Sequence, residues 1–551
     1  MKHSSLLFIA LVAINFQTFA QTFTLYGDKC FGGNSGEESS SIYLLPGGSF
    51  LICGESWSPI SGNKTTALCP AIGIPKDFWM LKVDNYLTIK WDKTIGGDKF
   101  EQQISFCKEL QSGNLLFVGS SASDSSCDKS ENDKGLSQTA DSWMILTDSL
   151  GNKFFDKTIG ASDDDRNSNL IESTQGDYYL VSSSLSSSVG GDKTATPIQD
   201  YDFWLTKFDS VFTKKWDKIY GGLGYETSDQ GSTIPVNMIQ EENGDVLLAG
   251  ITSSPVGYDI SGTPRGYSDI WLIKLDSSGN KIWDKRYGGS GAENFGKIIH
   301  TKDHGYIIAA STNSPQSGDI SDTSHGGIYD CWIVKLDSLG NKQWDKRYGG
   351  DGSDNSTWIS EAPDSGYWIS AKTTSDSSSD VSEPRFGNLD IWVFKIDNNG
   401  NKIWDKRFGG PSGSTSYPTN FIIMPDTSIF LCGIADSGTS TVKSDVGYGG
   451  RDYWVIHFKY GTTTVGINEQ ATFNAGISLF PNPTRDLITI KSTTEKIKQV
   501  DLLNLVGETL QTQKVNFSNS TQVNLQTYAP GFYFVKITGE KYTVVNRVVR
   551  E

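Results

Sequence analysis

The sequence predicts an all-β protein, most of it built from seven repeats of four strands each. An Asp-x-Trp triplet recurs seven times, and its Trp residues are separated by 64, 61, 67, 61, 60 and 62 residues. An Asp-Lys pair before a glycine turn also recurs seven times. The triplets are Asp77/Trp79, Asp141/Trp143, Asp202/Trp204, Asp269/Trp271, Asp330/Trp332, Asp390/Trp392 and Asp452/Trp454. The pairs begin at Asp28, Asp92, Asp156, Asp217, Asp284, Asp345 and Asp405. Repeats of this length are typical of propellers and arrays.

Each repeat contains four strand-like runs, which in the repeat near Glu293 are 295–300, 306–311, 331–336 and 343–348. Apolar, β-branched and aromatic residues alternate in these runs, and Gly, Asn and Asp separate them. The Asp-x-x-Gly-Asn turn at Asp337 predicts a tight hairpin between the third and fourth strands. Four-stranded units of about 62 residues favour a seven-bladed β-propeller, because radial stacking leaves only short sheet edges.

The two ends of the repeat region complement each other. Segment 23–31 carries Asp28-Lys29 before a glycine turn and matches a fourth strand, whereas segment 453–460 matches a third strand. We therefore predict that the N-terminal strand pairs with segment 453–460 and closes the ring.

The repeats, of the form WDKRYGG…GYIIAAST…DIWLIKLDSSGNKIWDKRYGG, resemble those of secreted bacterial proteins with SBBP-like propeller repeats. The resemblance covers residues 21–462. It implies a seven-bladed propeller and an exported protein, but no single activity.

A different β-rich module is predicted over residues 476–551, after a linker at 463–475. Its seven or so short strands in about 75 residues predict a small Ig-like β-sandwich. The PNPT start, LxNLxG middle, GFYFVKI strand and basic end resemble the type A sorting domain of the type IX secretion system. The motif residues are Pro481, Asn482, Pro483, Gly507, Gly531, Tyr533 and Lys536. The resemblance implies transport by the type IX machinery, removal of the domain, and release or attachment at the cell surface; an ordinary binding sandwich is the alternative.

The N-terminus predicts a signal peptide over residues 1–20. Lys2 and His3 precede an apolar run, and cleavage is expected near Ala20-Gln21. No later run reaches the roughly 18 apolar residues that a membrane helix needs. We expect a protein that passes through the periplasm and is secreted or held at the outer cell surface, without a transmembrane segment. The net charge of −16 disfavours nucleic acid as a partner.

The seven cysteines include no CxxC pair, which disfavours a zinc cluster. Export permits disulfides, so Cys69 and Cys127, in long loops of neighbouring repeats, could form one. The alternative is burial as small hydrophobic residues, which we favour for strand cysteines such as Cys107 and Cys331.

An acidic residue recurs five residues after the first glycine of the turn and begins the innermost strand. These candidate site residues are Glu37, Glu101, Asp165, Glu226, Glu293 and Asp354, and the seventh repeat has Ser414. They could ring the mouth of the channel and bind a cation. Alternatively, each carboxylate accepts backbone N–H bonds or pairs with a repeated lysine, and this interpretation is favoured because structural pairs also recur.

The long loops between second and third strands should open on the same face. They carry Asp motifs at Asp259, Asp319, Asp380 and Asp445. They also carry the candidate ligand contacts Tyr258, Arg265, Tyr267, His325, Arg385 and Tyr448. Aromatic and Arg side chains on a rigid scaffold suit glycan or protein ligands. For any single residue, solvated turn chemistry is the alternative.

No catalytic motif is recognisable. GxSxG, HExxH and P-loop patterns are absent from the sequence, and the histidines are scattered. The repeated Trp and its Asp are predicted to be core, with the ring packed between blades and the acid satisfying a turn. We predict a secreted recognition protein without a cofactor, although calcium remains an option. The alternatives are a carbohydrate-active enzyme that uses channel-mouth carboxylates and a passive surface protein.

Overall fold

The computed structural model describes residues 20–70, 76–135, 139–185, 189–227, 236–463, 477–482, 484–493, 496–504, 509–529, 531–539 and 543–550. The repeats form one compact unit, Leu25–Lys459, and the C-terminal module belongs to another. The predicted signal peptide and linker lie outside the described residues apart from Ala20 and Thr463. No helix among the described residues is long and apolar enough to cross a bilayer.

Antiparallel four-stranded units make up the repeat region, with strands in chain order within units 1 to 6. Unit 1 contains β2 (Glu37–Leu44), β3 (Phe50–Ser56), β4 (Asp77–Val83) and β5 (Ile89–Ile95). Unit 2 contains β6 (Glu101–Glu109), β7 (Leu115–Ser121), β8 (Asp141–Thr147) and β9 (Lys153–Ile159). Unit 3 contains β10 (Asp165–Glu172), β11 (Tyr178–Ser184), β12 (Asp202–Phe208) and β13 (Lys214–Tyr220). A parallel bridge between Asp141 and Asp165 joins units 2 and 3.

The first strand of unit 4 is split into two segments. Unit 4 contains β14 (Glu226–Thr227), β15 (Asn237–Gln240), β16 (Val246–Thr252), β17 (Asp269–Leu275) and β18 (Lys281–Tyr287). Unit 5 contains β19 (Glu293–His300), β20 (Tyr306–Thr312), β21 (Asp330–Leu336) and β22 (Lys342–Tyr348). Unit 6 contains β23 (Asp354–Glu361), β24 (Tyr367–Thr373), β25 (Asp390–Ile396) and β26 (Lys402–Phe408). Unit 7 contains β27 (Ser416–Ile423), β28 (Ser428–Asp436), β29 (Arg451–Thr463) and β1 (Ala20–Phe31).

The first strands of successive units contact one another. The contacts run from β2 to β6, β10, β15, β19, β23 and β27, and β27 contacts β2. A β-bulge interrupts six of these strands. The protein is therefore all-β and propeller-like, as the sequence predicts at this level of detail.

The predicted pairing of the N-terminal strand is confirmed, because β1 is hydrogen-bonded to β29 as the fourth strand of unit 7. Trp454 Nε1 donates a 2.8 Å hydrogen bond to Asp28, and the equivalent bond within unit 5 joins Trp332 to Asp345 at 3.0 Å. The terminal strand therefore occupies the same register as the fourth strands of the other units.

The hydrophobic core lies between neighbouring units. All seven Trp residues of the Asp-x-Trp triplets are fully buried, as predicted. Trp332 of unit 5, for example, packs with Leu247 and Leu272 of unit 4. The aspartates of the triplets are also buried and accept loop N–H groups, such as the 2.9 Å bond from Tyr448 to Asp452. Because each core is shared, a unit is stabilised by its neighbours.

The C-terminal module contains two antiparallel sheets that enclose one core. Its strands are β30 (Ile477–Phe480), β31 (Leu487–Ser492), β32 (Ile497–Leu503), β33 (Thr509–Ser518), β34 (Ser520–Asn524), β35 (Gly531–Thr538) and β36 (Thr543–Arg550). The sheet orders are β30-β31-β34 and β33-β32-β35-β36. Ile488 and Ile490, which share one face of β31, pack with Val535 and Ile537 of the second sheet.

Candidate binding site

The six predicted acidic residues begin the first strands, and all six are fully buried. Each carboxylate accepts the N–H of the second residue of the preceding turn: Glu226 bonds Gly222 at 2.9 Å, and Asp354 bonds Gly350 at 2.8 Å. Glu226 also accepts the hydroxyls of Thr252 and Ser254. The interpretation that these acids accept backbone N–H bonds is confirmed. The prediction that they ring the mouth of the channel and bind a cation stays a prediction.

The seventh counterpart is Ser416 and not Ser414. Ser416 begins β27 and donates its N–H to Leu389 O at 2.8 Å, just as Glu101 donates to Lys76 O. Pro411 lies in a turn that is two residues longer than the others, so counting from the glycine misplaces the position.

Each buried acid faces the Asp-x-Trp aspartate of the preceding unit across the first glycine of the turn. A Cβ placed on Gly221 would lie 2.0 Å from Asp202 Oδ1 and 2.5 Å from Glu226 Oε2. At the ring closure, a Cβ on Gly32 would meet Asp452 and Glu37 in the same way. Glycine is required because the two carboxyl groups fill the space of any side chain. The sequence contained both acids but not this pairing, which joins different units.

A buried cation accompanies these acids in every unit. In units 1, 2, 3 and 7 it is a lysine of the loop between second and third strands: Lys64, Lys129, Lys193 and Lys443. In units 4, 5 and 6 it is an arginine of the fourth strand: Arg286, Arg347 and Arg407. The arginines form ion pairs with the aspartates of the triplets, as in the 2.8 Å contact between Arg347 and Asp330.

The sequence indicates whether the buried positive charge of a unit comes from the loop lysine or from the strand arginine. Where the strand supplies Arg, the loop position is apolar and buried: Ile260, Ile320 and Val381. One cation per unit partly neutralises two buried carboxyl groups, whose desolvation would otherwise be costly.

The facing acids predict a pH-dependent stability. Burial raises the pKa of Asp202 to about 8 and that of Glu226 to about 7. Because the folded-state pKa values lie above the unfolded ones, the stabilisation is complete below about pH 4 and is lost as the pH rises through about 8. We expect the unfolding free energy to fall by several kcal/mol (on the order of 5) across this range, and Asp202→Asn to remove most of that dependence.

Urea unfolding measured between pH 5 and 9 tests this expectation. Asp217→Asn is the matched control, since Asp217 is a buried aspartate of the same unit whose pKa is lowered to about 2, because hydrogen bonds from Lys214 and Thr194 outweigh its burial. It should lower stability without flattening the pH profile. An unchanged profile in Asp202→Asn would contradict the proposed effect of the pair.

The repeated lysines of the Asp-Lys pairs do not bind the buried acids. Lys93, Lys218 and Lys285 donate to Asn152, Asn280 and Asn341 in the hairpin turn of the next unit, at 2.9, 2.9 and 2.6 Å. The aspartate of each pair accepts the indole N–H of the repeated Trp in all seven units. Both signatures thus belong to one network of hydrogen bonds within and between units, which forms the frame of the repeat region.

The Asp motifs of the long loops also stabilise the frame. Asp259, Asp319 and Asp380 accept the N–H of Gly221, Gly288 and Gly349, at 3.1 to 3.3 Å. Asp445 accepts the N–H of Cys30 at 3.1 Å. These acids therefore bind backbone N–H groups outside their own loops, and Asp445 also caps its own loop, as the sequence suggested, by accepting the N–H of Gly447 at 3.2 Å.

Several predicted ligand contacts instead join adjacent loops. Arg265 forms a 3.0 Å ion pair with Asp319 of the next unit, and His325 Nδ1 lies 3.2 Å from Asp380. Tyr448 packs against Gly62 of unit 1. Between units 1 and 2 the same kind of link is a disulfide, Cys69–Cys127, which decides between the two alternatives for these cysteines. The strand cysteines Cys107 and Cys331 are buried free thiols, as favoured.

Three predicted contacts remain available to a ligand. Tyr258 and Tyr267 are 68% and 79% exposed on the long loop of unit 4, and Arg385 is exposed on that of unit 6. Tyr258 has a φ of 51°, which turns the chain at the loop tip. These two exposed tyrosines lie on one loop, which the Arg265–Asp319 ion pair joins to the next loop. They form the clearest candidate contact surface among the predicted residues.

A mixed-charge cluster near units 1 and 7 was not predicted. Glu38 and Glu55 are cross-strand neighbours, and they pair with Arg451 at 2.8 Å and Lys76 at 2.6 Å. The Lys76 ammonium lies 5.1 Å from the Trp57 ring centroid. Only the ring closure brings Arg451 to Glu38, 413 residues away. Within the described residues, no group of three or more His, Cys, Asp or Glu side chains is arranged to hold a metal.

The C-terminal motif residues are structural in part. Asn482 accepts the N–H of Val549 at 2.8 Å, and Thr484 donates to Val549 O at 2.8 Å, so the PNPT segment lies beside the last strand. Gly531 begins β35, Tyr533 donates to Ala529 O, and Pro481 and Lys536 are exposed. Pro483 and Gly507 lie outside the described residues.

Residues 478–551 match the secretion system C-terminal sorting domain family. This match supports type IX sorting and identifies a chain that is directed to secretion or the cell surface.

Other similarities are distant. The chain is 23% identical over 237 residues to regulatory protein FlaEY of Caulobacter vibrioides, over 41% of this chain and 24% of that protein. This chain thus spans about a quarter of the length of that relative. A Dyadobacter fermentans protein of unknown function is 10% identical with a TM-score of 0.40, over 80% of this chain and 99% of that one. The Neurospora crassa Pan2 WD40 domain is 7% identical with a TM-score of 0.40, over 80% and 96%.

Proposed function

We propose that residues 21–462 form a seven-bladed β-propeller of the SBBP-like secreted type and that residues 476–551 form an Ig-like type A sorting domain. The closed succession of first-strand contacts and the seven equivalent Trp–Asp bonds support the first assignment. A signal peptide cleaved near Ala20-Gln21 delivers the chain to the periplasm, and the type IX machinery exports it. The propeller is then released or held at the cell surface.

We further propose that the propeller is a recognition module for a glycan or protein ligand. The observation that carries this proposal is the exposure of Tyr258 and Tyr267 on a loop that the Arg265–Asp319 ion pair joins to the loop of the next unit. A loop that is already held by its neighbour loses little conformational entropy on binding. Tyrosine contributes a large contact area together with a hydroxyl group. The recurrent acids are committed to the frame, which favours binding over catalysis by those groups.

A glycan array probed with the purified full-length protein tests this function, in calcium and again in chelator. A calcium-dependent hit would support a cation at the ligand interface, whereas a hit that ignores chelator would assign recognition to the aromatic loop. Hydrolysis of an arrayed glycan would favour the enzyme alternative. A blank array would overturn the glycan proposal and leave a protein ligand.

For a ligand found in this way, we expect the double variant Tyr258→Ala/Tyr267→Ala to weaken binding by at least about tenfold. Tyr86→Ala is the matched control, because Tyr86 is 83% exposed in a β4–β5 turn at the opposite end of the strands. Equal affinities of the two variants, measured by calorimetry, would exclude the unit 4 loop as the contact surface.

A further inference from the structure

In units 4 and 7, an asparagine in the middle of the first strand reaches the first strand of the next unit. Asn420 of unit 7 exchanges two hydrogen bonds with the backbone of Ile42 in unit 1, at 2.8 and 2.9 Å. Asn237 of unit 4 reaches Gly296 O of unit 5 at 3.5 Å. These side chains therefore span neighbouring first strands, where the units meet.

Unit 5 has a lysine at this position and unit 6 has a tryptophan. Lys297 pairs with Ala309 and Trp358 with Ser370, and Asn237 pairs with Ala249 in the corresponding register. The Lys297 ammonium lies 4.5 Å from the ring centroid of Trp358. The link between these units is thus a cation–π contact and not an amide hydrogen bond.

The two polar groups of this contact lack partners among the residues that the structure describes. The Lys297 ammonium has neither a hydrogen bond nor an ion pair there, and the Trp358 indole N–H is buried without an acceptor. Burial alone lowers the pKa of Lys297 to about 8, and no neighbouring charge raises it. The Lys297 side chain is half-buried, and removing an ammonium from water without a counter-ion costs free energy, while buried indole N–H groups usually have an acceptor.

We propose that Lys297 and Trp358 form a binding site for a small monocarboxylate ligand between the first strands of units 5 and 6. A carboxylate has two acceptor oxygens and can take both hydrogen bonds at once. Its single negative charge matches one ammonium and one neutral N–H, whereas a phosphate or sulfate dianion would leave a charge uncompensated. The chain's net charge of −16 disfavours non-specific anion binding, so a carboxylate requires this local cation.

The test is a titration of the full-length protein, labelled with ¹⁵N at tryptophan, with acetate, glucuronate and glucose. The Trp358 indole resonance is assigned as the one that disappears in Trp358→Phe. We expect carboxylates to shift this resonance. Glucose should have no effect. Lys297→Met, which keeps the length of the side chain without its charge, should weaken carboxylate binding by at least about tenfold.

Lys90→Met is the matched control, since Lys90 is an exposed lysine of β5, and it should bind as the unmodified protein does. A thermal unfolding curve for each variant separates loss of the site from loss of the fold. The proposal is overturned if neither carboxylate shifts the Trp358 resonance, if glucose shifts it equally, or if Lys297→Met binds with unchanged affinity. This test is independent of the loop surface around Tyr258.

Discussion

Replacing Asp28 with Ala is expected to release the N-terminal strand β1 from β29 of unit 7. Asp28 accepts hydrogen bonds from Trp454 Nε1 at 2.8 Å, Ser444 N at 3.0 Å and Asp445 N at 3.2 Å. Leaving these donors without an acceptor should lower the free energy of unfolding by about 2–4 kcal/mol. Urea unfolding followed by tryptophan fluorescence measures this loss.

The matched control is Asp345→Ala, which removes the equivalent bonds to Trp332 and Ser321 inside unit 5. There, β22 stays joined to β21 by a short hairpin, whereas β1 and β29 are separated by the whole repeat region. Because closing so long a loop costs more entropy, only Asp28→Ala should release its strand. We expect fast hydrogen exchange in residues 22–31 of that variant. Equal protection from hydrogen exchange, of β1 in Asp28→Ala and of β22 in Asp345→Ala, would contradict a weaker attachment of β1.

Deleting residues 476–551 is expected to leave the protein in the periplasm of its native host. The deleted segment contains the sorting-domain match at 478–551. A secretion signal of this kind is recognised by a receptor. We expect the surface and secreted fraction to fall by at least about tenfold, while the periplasmic fraction rises. Immunoblots of separated periplasm, outer surface and medium provide the measurement.

A point variant controls for nonspecific effects on the module. Lys514→Ala alters an exposed residue of β33 outside the motif and should be exported normally. Asn482→Ala removes the acceptor for Val549 N and should impair export only as far as the last strand loosens. Normal surface display of the chain without residues 476–551 would show that another part of the protein contains the secretion signal.

The repeats and the pairing of the chain ends follow directly from the sequence. The Asp-x-Trp and Asp-Lys signatures lie thirteen residues apart across a hairpin, as Trp332 and Asp345 do, so local geometry brings them together. Segment 23–31 lacked a partner of its own, which predicted its pairing with β29. The sorting motif was recognisable because its segments follow one another within a single short module of the chain.

The candidate site was harder to predict because burial depends on the neighbouring unit. Glu226 and the other recurrent acids looked like possible ligand groups, yet each is enclosed by the preceding turn and faces an aspartate of another unit. Arg265 and His325 looked like free contacts, but they bind Asp319 and Asp380 of the next loop. Among the predicted loop residues, Tyr258, Tyr267 and Arg385 are exposed, and Tyr448 is exposed in part while it packs against Gly62.

The sequence by itself determined the repeat period, the strand order, the buried Trp and the C-terminal address, because these depend on spacing and periodicity along one chain segment. Tertiary structure alone decided which acids face each other, that Cys69 and Cys127 form a disulfide, and that Arg451 meets Glu38. It also brought Lys297 over Trp358, where no acidic side chain among the described residues pairs with it. These contacts join residues in different units, and their energies depend on desolvation and distance, which a linear pattern does not record.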